Sequence, residues 1–79
     1  MSGALLPLGF LRAGCSAVVR DFHGAKELRQ RLIALGLIHG TKINVVKNDE
    51  GSPLIISLGE GRLAIARGMA LKIMVEEAS

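Results

Sequence analysis

The fold is decided by the stretch LRQRLIALGLIHGTKI, residues 28–43. Leu28, Leu32 and Leu35 recur at spacings of four and three residues, which places them on one face of a helix. Basic and amide side chains fall on the remaining faces, so the segment is amphipathic. We therefore predict a helix over residues 25–35 whose three leucines face the core.

Two glycines bound the loop after this helix. Gly36 follows the last leucine, at the position where helices commonly end in a left-handed residue, and Gly40 comes four residues later. From Thr41 the pattern changes to an alternation of period two, which is typical of a strand. The stretch is thus predicted to form a helix, a tight loop and a strand.

The rest of the chain is divided into short strands by glycine- and proline-containing turns. Alternation and short apolar runs predict five strands, at residues 15–22, 42–47, 54–58, 62–66 and 71–75. In the first strand both parities carry apolar residues, so its inner face is left open; in the last, Leu71, Ile73 and Val75 are predicted to face inward. Residues 1–14 are expected to be an ordered lead-in without a regular element, and residues 68–70 a short corner.

Closure of these strands into a barrel would remove the exposed edges of an open sheet. We therefore predict a mostly-β fold, a small SH3-like barrel of about five strands, with one short helix inserted after the first strand. At 79 residues the chain has room for one hydrophobic core, so residues 1–79 are predicted to form a single domain.

Composition argues against several classes of function. The net charge is only +3 and the basic residues are dispersed, so we expect no nucleic-acid partner and no polybasic membrane tail. The single cysteine, Cys15, excludes an internal disulfide and fits a reducing compartment. Pro7, Gly9 and Arg12 interrupt the first apolar run, so it is not read as an export signal or a membrane span. A cytoplasmic location is expected, without direct membrane insertion.

Motifs for chemistry are missing from the sequence. His23, His39 and Cys15 are isolated from one another, whereas iron and zinc sites use several converging ligands with close-spaced pairs. Gly59 and Gly61 belong to a hairpin turn and lack the lysine of a phosphate-binding loop. We accordingly expect no metal site, no cofactor and no enzymatic activity.

Several motifs together resemble a known family. ELRQRL at residues 27–32 is followed by LGLIHGT at 35–41, GSPL at 51–54 and GRLA at 61–64. This pattern resembles FeoA, the small cytoplasmic proteins of bacterial ferrous-iron uptake, over essentially the whole chain. Departures from the family pattern lie in loops, for example His39 where a proline is common. The resemblance implies an SH3-like barrel that assists FeoB, a membrane permease with a cytoplasmic GTPase domain. A similar barrel also forms the C-terminal domain of iron-dependent repressors.

The sequence offers one candidate surface for such a partner. Leu37, Ile38 and Met74 are either core residues or exposed anchors, and the pattern leaves both alternatives open. We hypothesise that the loop after the helix and its flanking arginines dock on the GTPase domain, which would recruit the protein to the inner face of the membrane. The candidate partner-binding residues are Leu37, Ile38, His39, Arg29, Arg31 and Met74. The alternative function is a small regulatory or RNA-associated barrel without a transporter link, and weak self-association is left open.

Overall fold

A computed structural model describes residues 3–78. In chain order the elements are β1 (Leu5–Pro7), a 3-10 helix (Leu8–Phe10), β2 (Ser16–Phe22), α1 (Lys26–Ala34), β3 (Lys42–Lys47), β4 (Leu54–Leu58), β5 (Gly61–Ile65), α2 (Arg67–Ala70) and β6 (Ile73–Ala78). The predicted helix and the predicted strands at residues 42–47 and 54–58 are confirmed.

The strands form one antiparallel sheet in the order β1-β6-β2-β3-β4-β5. The sheet curls into the predicted SH3-like barrel. The 3-10 helix and α2 pack against each other. The 3-10 helix follows β1 and α2 follows β5, and a Cβ placed on Gly9 would lie 3.4 Å from the Cβ of Ala70. This close approach joins the 3-10 helix to α2, while the edge strands β1 and β5 do not pair with each other.

Aliphatic residues fill the interior of the barrel, and no polar or charged residue within the described part of the chain is buried. Every element except β1 contributes a buried side chain to this core. The core residues are Leu8, Leu11, Ala17, Val19, Phe22, Leu32, Leu37, Ile43, Val45, Leu54, Ile56, Ile65, Ala70, Ile73 and Val75.

A register shift in β2 explains why both parities of that strand are apolar. Ala17 and Val19 face inward, and the β2–β6 pairing then shifts between Val19 and Asp21. An extra residue at such a bulge moves the following side chains to the opposite face. Phe22 is buried as a result, although its parity differs from that of Val19.

Three sequence-based predictions are wrong. The lead-in contains regular structure, because Leu5–Pro7 pairs with β6 and a 3-10 helix follows. Pro7 is tolerated there because β1 lies at the edge of the sheet, where a missing N–H need not interrupt a ladder. Leu35 is 44% exposed, since it caps a nine-residue helix that buries only Leu32 fully. Leu71 is 52% exposed, because β6 begins two residues later.

A side-chain network fastens the lead-in to the turn after β3 and to α2. The Asn48 amide nitrogen donates hydrogen bonds to the carbonyl oxygens of Gly9, at 3.1 Å, and Leu11, at 2.6 Å. The Asn48 side-chain oxygen accepts from Nη2 of Arg67, which also donates to the Asp49 carbonyl at 2.6 Å. Asn48 thus links the chain after β3 to the 3-10 helix and to α2.

Candidate partner-binding surface

The exit from α1 decides which side chains of the following loop are buried. Gly36 has a φ of 95°, and its N–H donates to the Ile33 carbonyl at 2.9 Å. The Leu37 N–H donates to the Leu32 carbonyl, also at 2.9 Å. These two bonds form a Schellman motif, in which the residue after the left-handed glycine packs back on the last helical turn. Leu32 and Leu37 are accordingly both fully buried.

The rest of the loop is held to the barrel by backbone bonds. The Gly40 N–H donates to the Val19 carbonyl of β2 at 2.7 Å, and Gly40 has a φ of 90°. The Thr41 N–H donates to the Ile38 carbonyl at 3.1 Å, and its hydroxyl donates to the Gly36 carbonyl at 3.3 Å. The loop is therefore fixed at both glycines, and its outward side chains project from a constrained backbone.

Ile38 and its neighbours carry exposed aliphatic surface. The exposed fractions are 49% for Ile38, 46% for Ile33 and 44% for Leu35. Arg31 and His39 are exposed within the same short stretch of chain. We call these residues the helix-exit surface: Arg31, Ile33, Leu35, Ile38 and His39. Large apolar side chains that are exposed on a small protein, here within six consecutive residues, are candidates for a contact site.

The two arginines of the predicted site differ in whether their side chains are held by a hydrogen bond. Nη2 of Arg29 donates to the Phe22 carbonyl at 3.3 Å, which holds that side chain against the end of β2. Neither Arg29 nor Arg31 forms an ion pair with another residue of the described chain. Both remain available to a carboxylate of a partner.

The structure buries one residue of the predicted partner site and places another on a different element. Leu37 is fully buried by the Schellman motif, so the alternative in which it is an exposed anchor is wrong. Met74 is half-buried on β6, opposite Pro7 of β1 and Asp21 of β2, and does not belong to the loop. Ile38, His39, Arg29 and Arg31 stay as exposed candidates.

Sequence reasoning missed Ile33 and Leu35. The spacing predicts Leu35 on the inner stripe with Leu28 and Leu32, and it gives no role to Ile33. One signal was available: Ile33 is one position after Leu32, so it cannot share the buried stripe. An isoleucine on the polar side of a short helix indicates a contact surface better than the stripe itself does.

A shallow cleft at the other end of the chain holds the cysteine. It has a volume of about 400 Å³ and is lined by Leu6, Phe10, Leu11, Arg12, Cys15 and Glu77. Phe10 is 68% exposed at its rim, and Cys15 is half-buried. Among residues 3–78 no three His, Cys, Asp or Glu side chains converge as metal ligands would. Asp21 and His23 approach to 3.9 Å, but both side chains are largely exposed.

Comparison with known proteins identifies the family. The model of the FeoA domain matches residues 6–77. The chain belongs to the FeoA family. It is 39% identical, over 74 residues, to a Methanocaldococcus jannaschii protein named "Putative Fe(2+) transport protein A"; the match covers 94% of this chain and 89% of that one. The resemblance deduced from the motifs is thereby confirmed.

Solved structures agree with this assignment. A crystal structure described as the iron uptake regulatory protein FeoA superposes with a TM-score of 0.86 at 33% identity, covering 96% of this chain and 100% of that one. A manganese-dependent transcriptional repressor superposes with a TM-score of 0.87 at 12% identity, covering 99% of this chain and 44% of the repressor. The repressor shares the fold alone. No helix within residues 3–78 has the length and apolar character needed to cross a membrane.

Proposed function

We propose that this FeoA-family protein is a non-enzymatic accessory protein of ferrous-iron uptake. It acts by binding the cytoplasmic GTPase domain of a FeoB-type permease through the helix-exit surface. Family membership and the name of the archaeal relative support the role in iron uptake. The observation that carries the choice of surface is the exposure of three aliphatic side chains at the end of α1 and on the loop after it, which is fixed at both glycines. The protein works in the cytoplasm and is recruited to the inner face of the membrane by this contact.

The backbone of the loop makes it a suitable docking site. Binding costs entropy when flexible loops must be ordered, and a loop already fixed by hydrogen bonds avoids most of that cost. Ile38 lies between the two glycines that fix the loop, so the backbone from which its side chain projects is held in place. It is therefore the expected anchor of the contact.

The charges around the anchor define the partner surface. Arg31 and His39 flank the aliphatic residues, and Arg29 lies two residues before Arg31 on a different side of α1. An apolar depression with carboxylates on its rim would complement this arrangement, because charge complementarity favours encounter and fixes orientation. The contact site on the GTPase domain is therefore expected to be apolar at its centre and acidic at its edge.

Amide chemical-shift mapping tests the surface. Isotope-labelled protein is titrated with the purified GTPase domain of the companion permease, and shifts are expected to concentrate at residues 31–41. Ile38→Asp is expected to weaken binding at least about tenfold, because it places a charge at the centre of an apolar contact. The fold should survive, since Ile38 is 49% exposed.

Leu71→Asp is the matched control. Leu71 is 52% exposed and lies in the turn before β6, where its Cδ2 would be 3.5 Å from a Cβ on Gly9. Leu71→Asp therefore introduces the same charge at a residue about as exposed as Ile38, but beside the 3-10 helix and not at the helix exit. Unchanged binding by a folded Ile38→Asp variant would contradict the choice of surface. Equal losses in both variants would contradict it as well.

A further inference from the structure

One edge of the sheet is open to pairing. β5 is the last strand in the sheet order and pairs with β4 alone. Within residues 3–78, no backbone hydrogen bond outside that ladder and no side-chain hydrogen bond reaches residues 61–65. The outer N–H and C=O groups of β5 are therefore free to accept another strand.

The hairpin geometry identifies these outer groups. Leu58 pairs with Gly61 across the two-residue turn Gly59-Glu60, and Gly59 has a φ of 61°. Glycine with positive φ at the first turn position, followed by a residue with negative φ, is a type II′ turn. The closing pair of such a hairpin exchanges both backbone hydrogen bonds, and bonded and non-bonded pairs alternate from there. Arg62 and Ala64 consequently direct their N–H and C=O groups away from β4.

β5 lacks the usual protection of edge strands. It contains no proline, and its pairing with β4 continues without a register shift, whereas β2–β6 and β3–β4 both contain one. Arg62 and Ala64 are exposed, while Leu63 is half-buried and Ile65 is buried. Natural edges are commonly blocked by prolines, bulges or inward-pointing charges. In β5, the only such feature is the exposed charge of Arg62.

The free groups of β5 are complementary to themselves. We propose that β5 pairs antiparallel with β5 of a second copy of this chain, with the two-fold axis at Leu63. Arg62 of each copy then stands opposite Ala64 of the other, as a hydrogen-bonded pair. Both pairs use the outward N–H and C=O groups, so four backbone hydrogen bonds join the copies. A two-fold contact of this kind is closed and stops at the dimer.

Neighbouring registers are less favourable. An axis at Arg62 would place two arginines directly opposite each other, which is repulsive. An axis at Ala64 would pair Arg62 with Ala66, whose carbonyl already accepts from the N–H groups of Met69, at 3.0 Å, and Ala70, at 2.9 Å. The axis at Leu63 avoids both conflicts. With so small a shared surface, the dimer is expected to form only at high micromolar to millimolar concentration.

Charge substitutions at Ala64 test the register. A glutamate at position 64 would stand opposite Arg62 of the other copy and attract it. A lysine at position 64 would stand opposite the same arginine and repel it. Opposite-charge pairs across strands are favourable and like-charge pairs are unfavourable, and the dimer contains two of them. Sedimentation velocity over a concentration series is expected to show dimerisation roughly two- to thirtyfold tighter for Ala64→Glu, and weaker by a similar factor for Ala64→Lys.

Further variants separate pairing from general charge effects. Gln30→Glu and Gln30→Lys make the same charge changes at an exposed position of α1 and should leave dimerisation almost unchanged. Ala64→Pro removes an outward N–H that the β4 ladder does not use, so it should abolish the dimer and keep the fold. The proposal is overturned if the wild type stays monomeric to millimolar concentration, or if Glu and Lys at position 64 shift dimerisation in the same direction. The edge would then be left for a strand of another protein.

Discussion

Asn48 is expected to be the most important polar side chain for stability. Its amide nitrogen donates to the Gly9 and Leu11 carbonyls, and its oxygen accepts from Arg67. Asn48→Ala removes all three bonds at once. It also leaves two carbonyls of the lead-in and one guanidinium N–H without their side-chain partner, in a half-buried position where water replaces them only in part.

The expected loss follows from the number of bonds. A net contribution of about 0.5–1.5 kcal/mol for each of the three hydrogen bonds gives a total of about 1.5–4.5 kcal/mol. A domain of this size retains only about 3–5 kcal/mol of net stability. The variant should therefore be marginally folded, with a melting temperature lower by about 6–36 °C, since 1 kcal/mol corresponds to about 4–8 °C in a domain of 60–100 residues.

Urea denaturation followed by circular dichroism measures this loss. Asp49→Ala is the matched control, because the Asp49 side chain is 60% exposed and only approaches Lys47, at 3.5 Å. Its cost should be below about 0.5 kcal/mol. Asn48→Asp should resemble Asn48→Ala, because a carboxylate accepts from Arg67 but donates to neither carbonyl. The reasoning is refuted if Asn48→Ala is as stable as Asp49→Ala.

Two further predictions concern the loop after α1. Leu37→Ala should lower the unfolding free energy by about 2–5 kcal/mol because Leu37 is fully buried, whereas Ile38→Ala should lower it by less than about 1 kcal/mol. Urea denaturation measures both variants, and a higher midpoint for Leu37→Ala than for Ile38→Ala would contradict the helix exit described here. Gly40→Ala should cost about 1–2 kcal/mol because Gly40 has a φ of 90°, although nothing lies within 4 Å of the added methyl. Gly68→Ala, in α2 and equally unobstructed, should be neutral or stabilising, and similar thermal shifts for both glycine variants would argue against the left-handed loop.

The sequence predicted those parts of the fold whose pattern is local. The α1 helix, its exit at Gly36 and the strands Lys42–Lys47 and Leu54–Leu58 all follow from periodicity and turn residues. β1 was missed because it has three residues, one of them Pro7, and exists through its pairing with β6. The inner face of β2 depends on a bulge, which the alternation of side chains does not reveal.

The candidate site was predicted only in part, for a related reason. Whether Leu37 or Ile38 points inward depends on the Schellman motif, and two adjacent aliphatic residues give no sign of which one packs. The role of Asn48 does not follow from the sequence, because the two backbone partners of its amide nitrogen lie 37 and 39 residues away. Contacts over such separations arise from the folded topology.

Calorimetric titration of this protein into the purified cytoplasmic GTPase domain of the companion permease tests the central claim most directly. The titration is run with a GTP analogue and with GDP. Our account predicts saturable binding in at least one nucleotide state. Different affinities in the two states would identify a regulator coupled to the nucleotide cycle, and equal affinities a scaffold. Absence of binding in both states would contradict the proposed partner domain.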